Sequence, residues 1–271
     1  MPSLLPVEPL ANQQLFGAGA SLYDAVRPTP PAEVVDVLSE LAGTARPRLV
    51  VDLGSGTGLS TRLWAGRAER IVGIEPDQGM RAQAERAAPV PGLSYRPGTA
   101  AQTGLPAGEA DVVTAVQALH WFEPAATFAE VTRLLRPGGV FAAIDCDWPP
   151  LVDWRLDRLW EDLFRRAIRL VKQKKLAPGL RHWEKAGHLG RMRESEAFRF
   201  VTELCFARRT RGGARELVQL AESQGELGLL LRLGRPEIRQ PLDALRTAAR
   251  ELLGDRVVPW TYAYRVRVGV I

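Results

Sequence analysis

Cysteine is scarce: Cys146 and Cys205 are the only two in 271 residues. Their spacing fits no metal knuckle, and two reduced thiols in a cytoplasmic protein are the expectation. Histidine is scarce as well, with His120, His182 and His188 the only three. His182 and His188 have no third ligand near them in sequence, so no metal is expected. No apolar run approaches the roughly 18 residues that would span a bilayer. The segment Met1–Pro9 lacks a basic stretch followed by a long apolar one, so neither a signal peptide nor a membrane partner is expected. Charge of one sign is also missing in bulk. Lys and Arg number 36 against 31 Asp and Glu, a net +5. The basic residues are dispersed, and the densest group, Arg165 to Lys175, reads as the solvated face of a helix. With no basic patch interleaved with aromatics, no nucleic-acid partner is expected.

What is present is an alternation of short apolar runs and helical stretches. Residues 1–43 form an arm, rich in proline at Arg27-Pro28-Thr29-Pro30-Pro31, that ends in a helix over Ala32 to Leu41. Strands are expected at Leu49–Leu53, Arg70–Glu75, Leu93–Arg96, Ala110–Val116 and Gly139–Asp145. Helices are expected between them at Thr61–Ala68, Gln78–Ala88 and Pro124–Leu135. Strands separated by helices need crossover connections, which gives an α/β fold with a doubly wound parallel sheet. After Trp148-Pro149-Pro150 the alternation stops. Leu156, Leu159, Trp160, Leu163, Ala167, Leu170 and Val171 lie on one side of a helix over 154–176. A shorter helical piece follows near Arg181–Gly187. Strand pattern returns at Phe198–Arg209 and from Tyr262 onward, with helices near Ala214–Glu222 and Pro236–Leu253 between. The division expected is an arm over 1–43, a core over 44–150, a helical insertion over 151–197 and the rest of the core over 198–271.

The chemistry starts at Asp52-Leu53-Gly54-Ser55-Gly56-Thr57-Gly58, a glycine loop that follows a buried strand and opens the next helical stretch. Such a loop offers backbone N–H groups and close approach to a ligand at the carboxyl edge of the sheet. It lacks the Gly-Lys-Ser/Thr ending of a phosphate-binding loop. The dinucleotide pattern would place its third glycine at Leu59, and Gly58 stands one residue early. No Tyr-x-x-x-Lys pair is present for a short-chain dehydrogenase. Glu75 closes the next strand about 20 residues on, where a carboxylate bonds ribose hydroxyls; it could instead cap the helix beginning near Asp77.

Residues of about 20–145 resemble the core of a class I S-adenosylmethionine (SAM)-dependent methyltransferase. The pieces carrying the resemblance are Val50–Gly58, Val72-Gly73-Ile74-Glu75-Pro76-Asp77 with Met80, Gly98-Thr99-Ala100 before Leu105-Pro106, Asp111-Val112-Val113, and Leu134-Leu135-Arg136-Pro137-Gly138-Gly139. The resemblance implies a Rossmann-like seven-stranded sheet whose last strand is antiparallel, with SAM as cofactor and S-adenosylhomocysteine as product. It places cofactor contacts at Asp52, Gly54, Ser55, Gly56, Gly58, Glu75, Pro76, Met80, Thr99, Ala100 and Gln117. Among these, Glu75 would hold the ribose and Met80 would lie against the adenine. The chain departs from the pattern at Ala101-Gln102, where many relatives carry an acidic residue.

The segment Leu119-His120-Trp121-Phe122 resembles a branch of small-molecule methyltransferases in which the arm is a lid over the cofactor. An imidazole is the natural base near neutral pH, so His120 is the candidate base, with Tyr23 as a second proton carrier. Phe16, Trp121 and Trp148 are candidate walls for the acceptor. The expected function is methyl transfer to oxygen or carbon of a small molecule, of which an aromatic or indole-like compound is one possibility, by a monomer or homodimer. A non-catalytic SAM-binding regulator or partner is the rival from another class. A nicotinamide-dependent oxidoreductase ranks below it. Asp145 and Asp147 could bind metal in a catechol-type enzyme, but their flanking pattern does not resemble that group.

Overall fold

A computed structural model describes residues 27–87, 89–177 and 182–271. Seven strands form one sheet in the order β3-β2-β1-β4-β5-β7-β6. Its parallel half consists of β1 (Leu49–Leu53), β2 (Arg70–Ile74), β3 (Leu93–Arg96), β4 (Ala110–Val116) and β5 (Leu135–Cys146). β7 (Val258–Val270) runs antiparallel to β5, and β6 (Phe200–Gly212) pairs antiparallel with β7 at the edge. Every residue of β1 is buried, as a central parallel strand covered on both faces requires. β6 alternates between exposed and half-buried from Leu204 onward, the pattern of an edge strand.

Alternate residues of the strands feed two separate cores. Val50, Val112 and Val140 face a layer containing α1 (Glu33–Leu41) and α4 (Trp154–Gln173). Val51, Val113 and Phe141 face the other layer, with Phe128 and Val131 of α3 (Pro124–Leu134) and Met192 of α5 (His188–Glu194). The remaining short parallel-half helix, α2 (Gln78–Arg86), buries Met80 and Ala84.

α4 buries Leu156, Trp160, Leu163, Ala167 and Val171, the stripe that its periodicity predicts. It packs against α7 (Gly225–Arg232) and α8 (Arg239–Leu253), and α8 also packs against α6 (Ala214–Glu222). Helices from both sides of β6 therefore share one layer over β7, whose Trp260, Tyr262, Tyr264, Val266 and Val268 point into it.

Three elements depart from the sequence expectation. Thr61–Ala68 is only a short 310 turn over Thr61–Trp64. Gly66 at φ +73° stops it, and the Ser60 and Thr61 hydroxyls bond Asp52. α7 is a helix that its glycines, Gly225 and Gly228, hide in the sequence; burial of Leu227 and Leu230 outweighs a propensity cost of about 1 kcal/mol per glycine. The helical piece near 181–187 is a turn at Lys185–Gly187 that continues as α5. No helix among the described residues is long and apolar enough to cross a membrane.

Candidate active site

The carboxyl ends of β1, β2, β4 and β5 frame a cleft, as the topology of an open α/β sheet dictates. After β1 the chain turns through three glycines with different surroundings. A Cβ on Gly54 would lie 2.8 Å from Phe122 Cζ, and one on Gly58 would lie 2.1 Å from Tyr95 Oη. Those two glycines let the loop pack against protein. Gly56, at φ +56°, meets only Met80 Sδ at 3.6 Å and otherwise faces the cleft. A β-branched residue there would be both strained and in the way of a ligand.

Glu75 follows the end of β2 and is 8% exposed. Its Oε2 accepts from Gly56 N at 2.9 Å and its Oε1 from Asp77 N at 2.9 Å. Burial raises its pKa, opposed by those two backbone bonds. Each oxygen keeps a second lone pair for a hydroxyl. Asp77 caps α2 by accepting from Met80 N at 2.7 Å, which places the Met80 side chain beside Gly56.

The opposite wall is Val116, Gln117, Ala118, Trp121 and Phe122, and Arg27 to Pro30 with Trp148 close the top. Arg27 lies over the Trp148 ring, 5.0 Å from its centroid. Gln117 sits at φ +53° just beyond β4, turning its side chain toward Lys185, whose Nζ donates to Gln117 Oε1 at 2.5 Å. The wall thus pairs a carboxylate and glycines at one end with tryptophan at the other.

Of the residues expected at the site, Gly54, Ser55, Gly56, Glu75, Pro76, Met80, Gln117, Trp121 and Trp148 lie on the wall. Asp52, Gly58, Thr99, Ala100 and His120 do not. Asp52 is buried, and its carboxylate accepts from the hydroxyls of Ser60, Thr61 and Thr114 at 2.7–2.8 Å. It ties the glycine loop to β4 instead of presenting itself to a ligand. Thr99 and Gln102 close a tight turn by exchanging backbone bonds of 3.1 Å, and Ala100 is packed in the core. Phe16 and Tyr23 lie outside the described residues.

The comparisons with known proteins agree with this geometry. A family model described as a methyltransferase domain matches residues 51–143. A Dictyostelium discoideum protein named as a methyltransferase is 33% identical over 139 residues, covering 51% of each chain. A Mycolicibacterium smegmatis protein named as SAM-dependent is 35% identical over 106 residues, 39% of this chain and 40% of the relative. A solved structure of a protein from Anaeromyxobacter dehalogenans, named as a type II methyltransferase, superposes with a TM-score of 0.68 at 25% identity. That match covers 90% of this chain and 97% of the other. Over the parts matched, the chain is similar to proteins named as methyltransferases, one of them as SAM-dependent. It spans about half the length of the first curated relatives it matches.

Behind the cleft wall lies a buried polar cluster that the sequence did not foretell. His120 is beside Trp121, ring centroids 4.7 Å apart, and 5.1 Å from the His182 ring. Its carbonyl accepts from Trp183 N at 2.8 Å, which pins the segment before α5 onto the loop after β4. Asp145 Oδ2, near the end of β5, accepts from Arg267 on β7 at 2.7 Å, and Lys185 Nζ lies 3.2 Å from Oδ1. His120 Nδ1 lies 3.8 Å from Asp145 Oδ1, and His188 Nε2 lies 3.9 Å from Oδ2. The ligand-type atoms of His120, Asp145 and His188 fall within 4.8 Å of one another, a juxtaposition that spacing along the chain hides. Burial, then the charge of Lys185, holds the His120 imidazole well below its usual pKa. Asp145 was legible as a carboxylate at a strand's carboxyl end; nothing in the local sequence singled out Lys185.

Proposed function

We propose that the cleft binds SAM and that the chain transfers its methyl group to oxygen or carbon of a small-molecule acceptor. The carrying observation is the juxtaposition of Gly56 and Glu75. The one leaves the loop open to a ligand, and the other presents carboxylate oxygens with spare acceptor capacity beside it. These residues fit an adenosyl group: Glu75 would take the ribose hydroxyls, and Met80 and Pro76 give an apolar rest for the base. When bound, SAM supplies an electrophilic methyl carbon. The protein's part is then orientation of the acceptor and removal of its proton.

Trp121 and Trp148 offer flat apolar surfaces at the far end of the cleft, which suits an aromatic acceptor of the indole type. His120, whose ring lies against the wall residue Trp121, is the base in this reading. Its lowered pKa keeps the ring neutral near pH 7, the form that accepts a proton. The acidic limb of kcat/KM should then fall below about pH 6.5, the usual imidazole value. Tyr23 remains a candidate second proton carrier.

The purified chain incubated with methyl-labelled SAM and a small-metabolite library should yield a labelled product, read by mass spectrometry. His120→Ala should lower kcat by about 100-fold or more, typical of losing a positioned base, with SAM affinity unchanged. Equal kcat in the two proteins would remove His120 from the chemistry. One observation favours a second reading, a SAM-binding regulator: His120 stands behind the wall and not on it. SAM binding with no product across the whole library would support that reading.

A further inference from the structure

Among the buried polar atoms that make no hydrogen bond are three that lie together, His120 Nδ1, Asp145 Oδ1 and His188 Nε2. They converge on one small volume between β5, the loop after β4 and the start of α5. Buried polar atoms are nearly always satisfied, so three facing one another need an account.

A metal ion is the first candidate, since two imidazoles and a carboxylate are a common ligand set. The partner on His188 speaks against it. Arg191 Nη2 lies 2.6 Å from His188 Nδ1, and a guanidinium nitrogen can only donate. His188 Nδ1 must therefore be the acceptor, and in the neutral ring Nε2 carries the hydrogen. That removes the lone pair a metal would need. Asp145 is moreover flanked by two cations, Arg267 and Lys185, where a metal ligand set would gather negative charge.

The same constraints fit a set of N–H donors around one carboxylate. His188 presents Nε2–H to Oδ2, Arg267 donates to Oδ2, and Oδ1 faces both Lys185 Nζ at 3.2 Å and His120 Nδ1 at 3.8 Å. We propose that Asp145 is a positioning residue: its Oδ1 holds the hydrogen of His120 on Nδ1, leaving Nε2 as the nitrogen with the free lone pair. The 3.8 Å separation closes to a hydrogen bond by a small turn of either side chain, and apo sites commonly show such bonds long. A hydrogen bond at one ring nitrogen sets the state of the other. His120 Nε2 is not among the sealed, unpartnered atoms, and with the hydrogen on Nδ1 it is the nitrogen that can accept a proton. The charged and titratable groups acting on His120 are Lys185, His182, His188, Arg27 and Asp145. Of these only Asp145 is an anion, and its Oδ1 lies 3.8 Å from His120 Nδ1, which favours a hydrogen on that nitrogen. The step assigned to His120 under the proposed function rests on this tautomer, but the tautomer itself does not depend on that function.

Nitrogen-15 NMR of the histidine rings tests the assignment directly, with His120→Gln identifying the His120 signals. The expected result at pH 7 is a neutral ring protonated on Nδ1 and bare on Nε2. A ring protonated on Nε2, or on both nitrogens, overturns the proposal. So does added zinc that binds and shifts the His120 and His188 signals together. Asp145→Asn should abolish the single tautomer and lower kcat at least 10-fold, with SAM affinity kept and the acidic limb of the pH profile displaced. Unchanged tautomer and pH profile in a folded Asp145→Asn protein would also overturn it. If that variant does not fold, the wild-type spectrum still decides. An Nδ1–H ring together with an unaffected His120→Ala enzyme would sink the base reading alone. The wrong tautomer with labelled product would sink this inference alone.

Discussion

Asp111 and Arg136 come from two separate pieces of the family resemblance, and the structure joins them. Arg136 Nε donates to Asp111 Oδ1 at 2.6 Å, and Asp111 Oδ2 accepts from the backbone N–H groups of Arg48 and Leu49 at 2.7 and 3.1 Å. Arg136 Nη2 also donates to Ala42 O at 2.6 Å. These residues clamp the start of β1 to β4 and β5, far from the chemistry. Burial pushes the Asp111 pKa up, but the Arg136 guanidinium and the backbone donors outweigh it and leave the pKa below the usual value. A depressed carboxyl stabilises the fold above its unfolded pKa of about 3.9, and that stability is lost as pH falls through the folded value. Asp111→Asn should therefore cost about 1–3 kcal/mol at pH 7, with the deficit shrinking below about pH 4. Urea unfolding across that range checks it, and an equal deficit at pH 7 and pH 3 would contradict it. Asp52 teaches the same lesson. Sequence places both aspartates in the signature, but only their partners show that they hold the backbone. Gly56 and Glu75 were legible because a loop and an acid at fixed spacing have a local cause. The Asp145, Lys185 and His188 grouping was not, since three distant segments have to fold before they meet.

At the scale of elements, periodicity served well wherever one face is buried. The α4 stripe and the five parallel strands were readable because burial repeats at 3.6 or fills a short run. α7 and the truncated helix after the glycine loop were not, because a glycine's effect depends on what packs around it. α4 is also the seam on which the helices flanking β6 meet. Leu163, 1% exposed at the middle of that seam, should cost about 2–5 kcal/mol on replacement by alanine. Thermal or urea unfolding would show it, and a loss below 1 kcal/mol would mean that α4 is not packed as described. Because the seam lies over β7 and not at the glycine loop, SAM affinity of the folded variant should be unchanged.

Across the described residues, one sheet covered on both faces keeps its chemistry at one end, where the carboxyl ends of the parallel strands meet Arg27 to Pro30 and the segment before α5. That placement followed from the order of strands and helices before any side chain was positioned. The shape of the acceptor end did not, because Trp148, Trp121 and Arg27 come from separate regions and depend on packing for their approach. The central claim is that the cleft lined by Gly56 and Glu75 holds SAM, and calorimetric titration tests it most directly. Wild-type protein should bind SAM at one site per chain and show no binding of NADH, while Gly56→Val, shown by circular dichroism to be folded, should bind neither. SAM affinity equal in wild type and Gly56→Val, or binding of NADH without SAM, would contradict it.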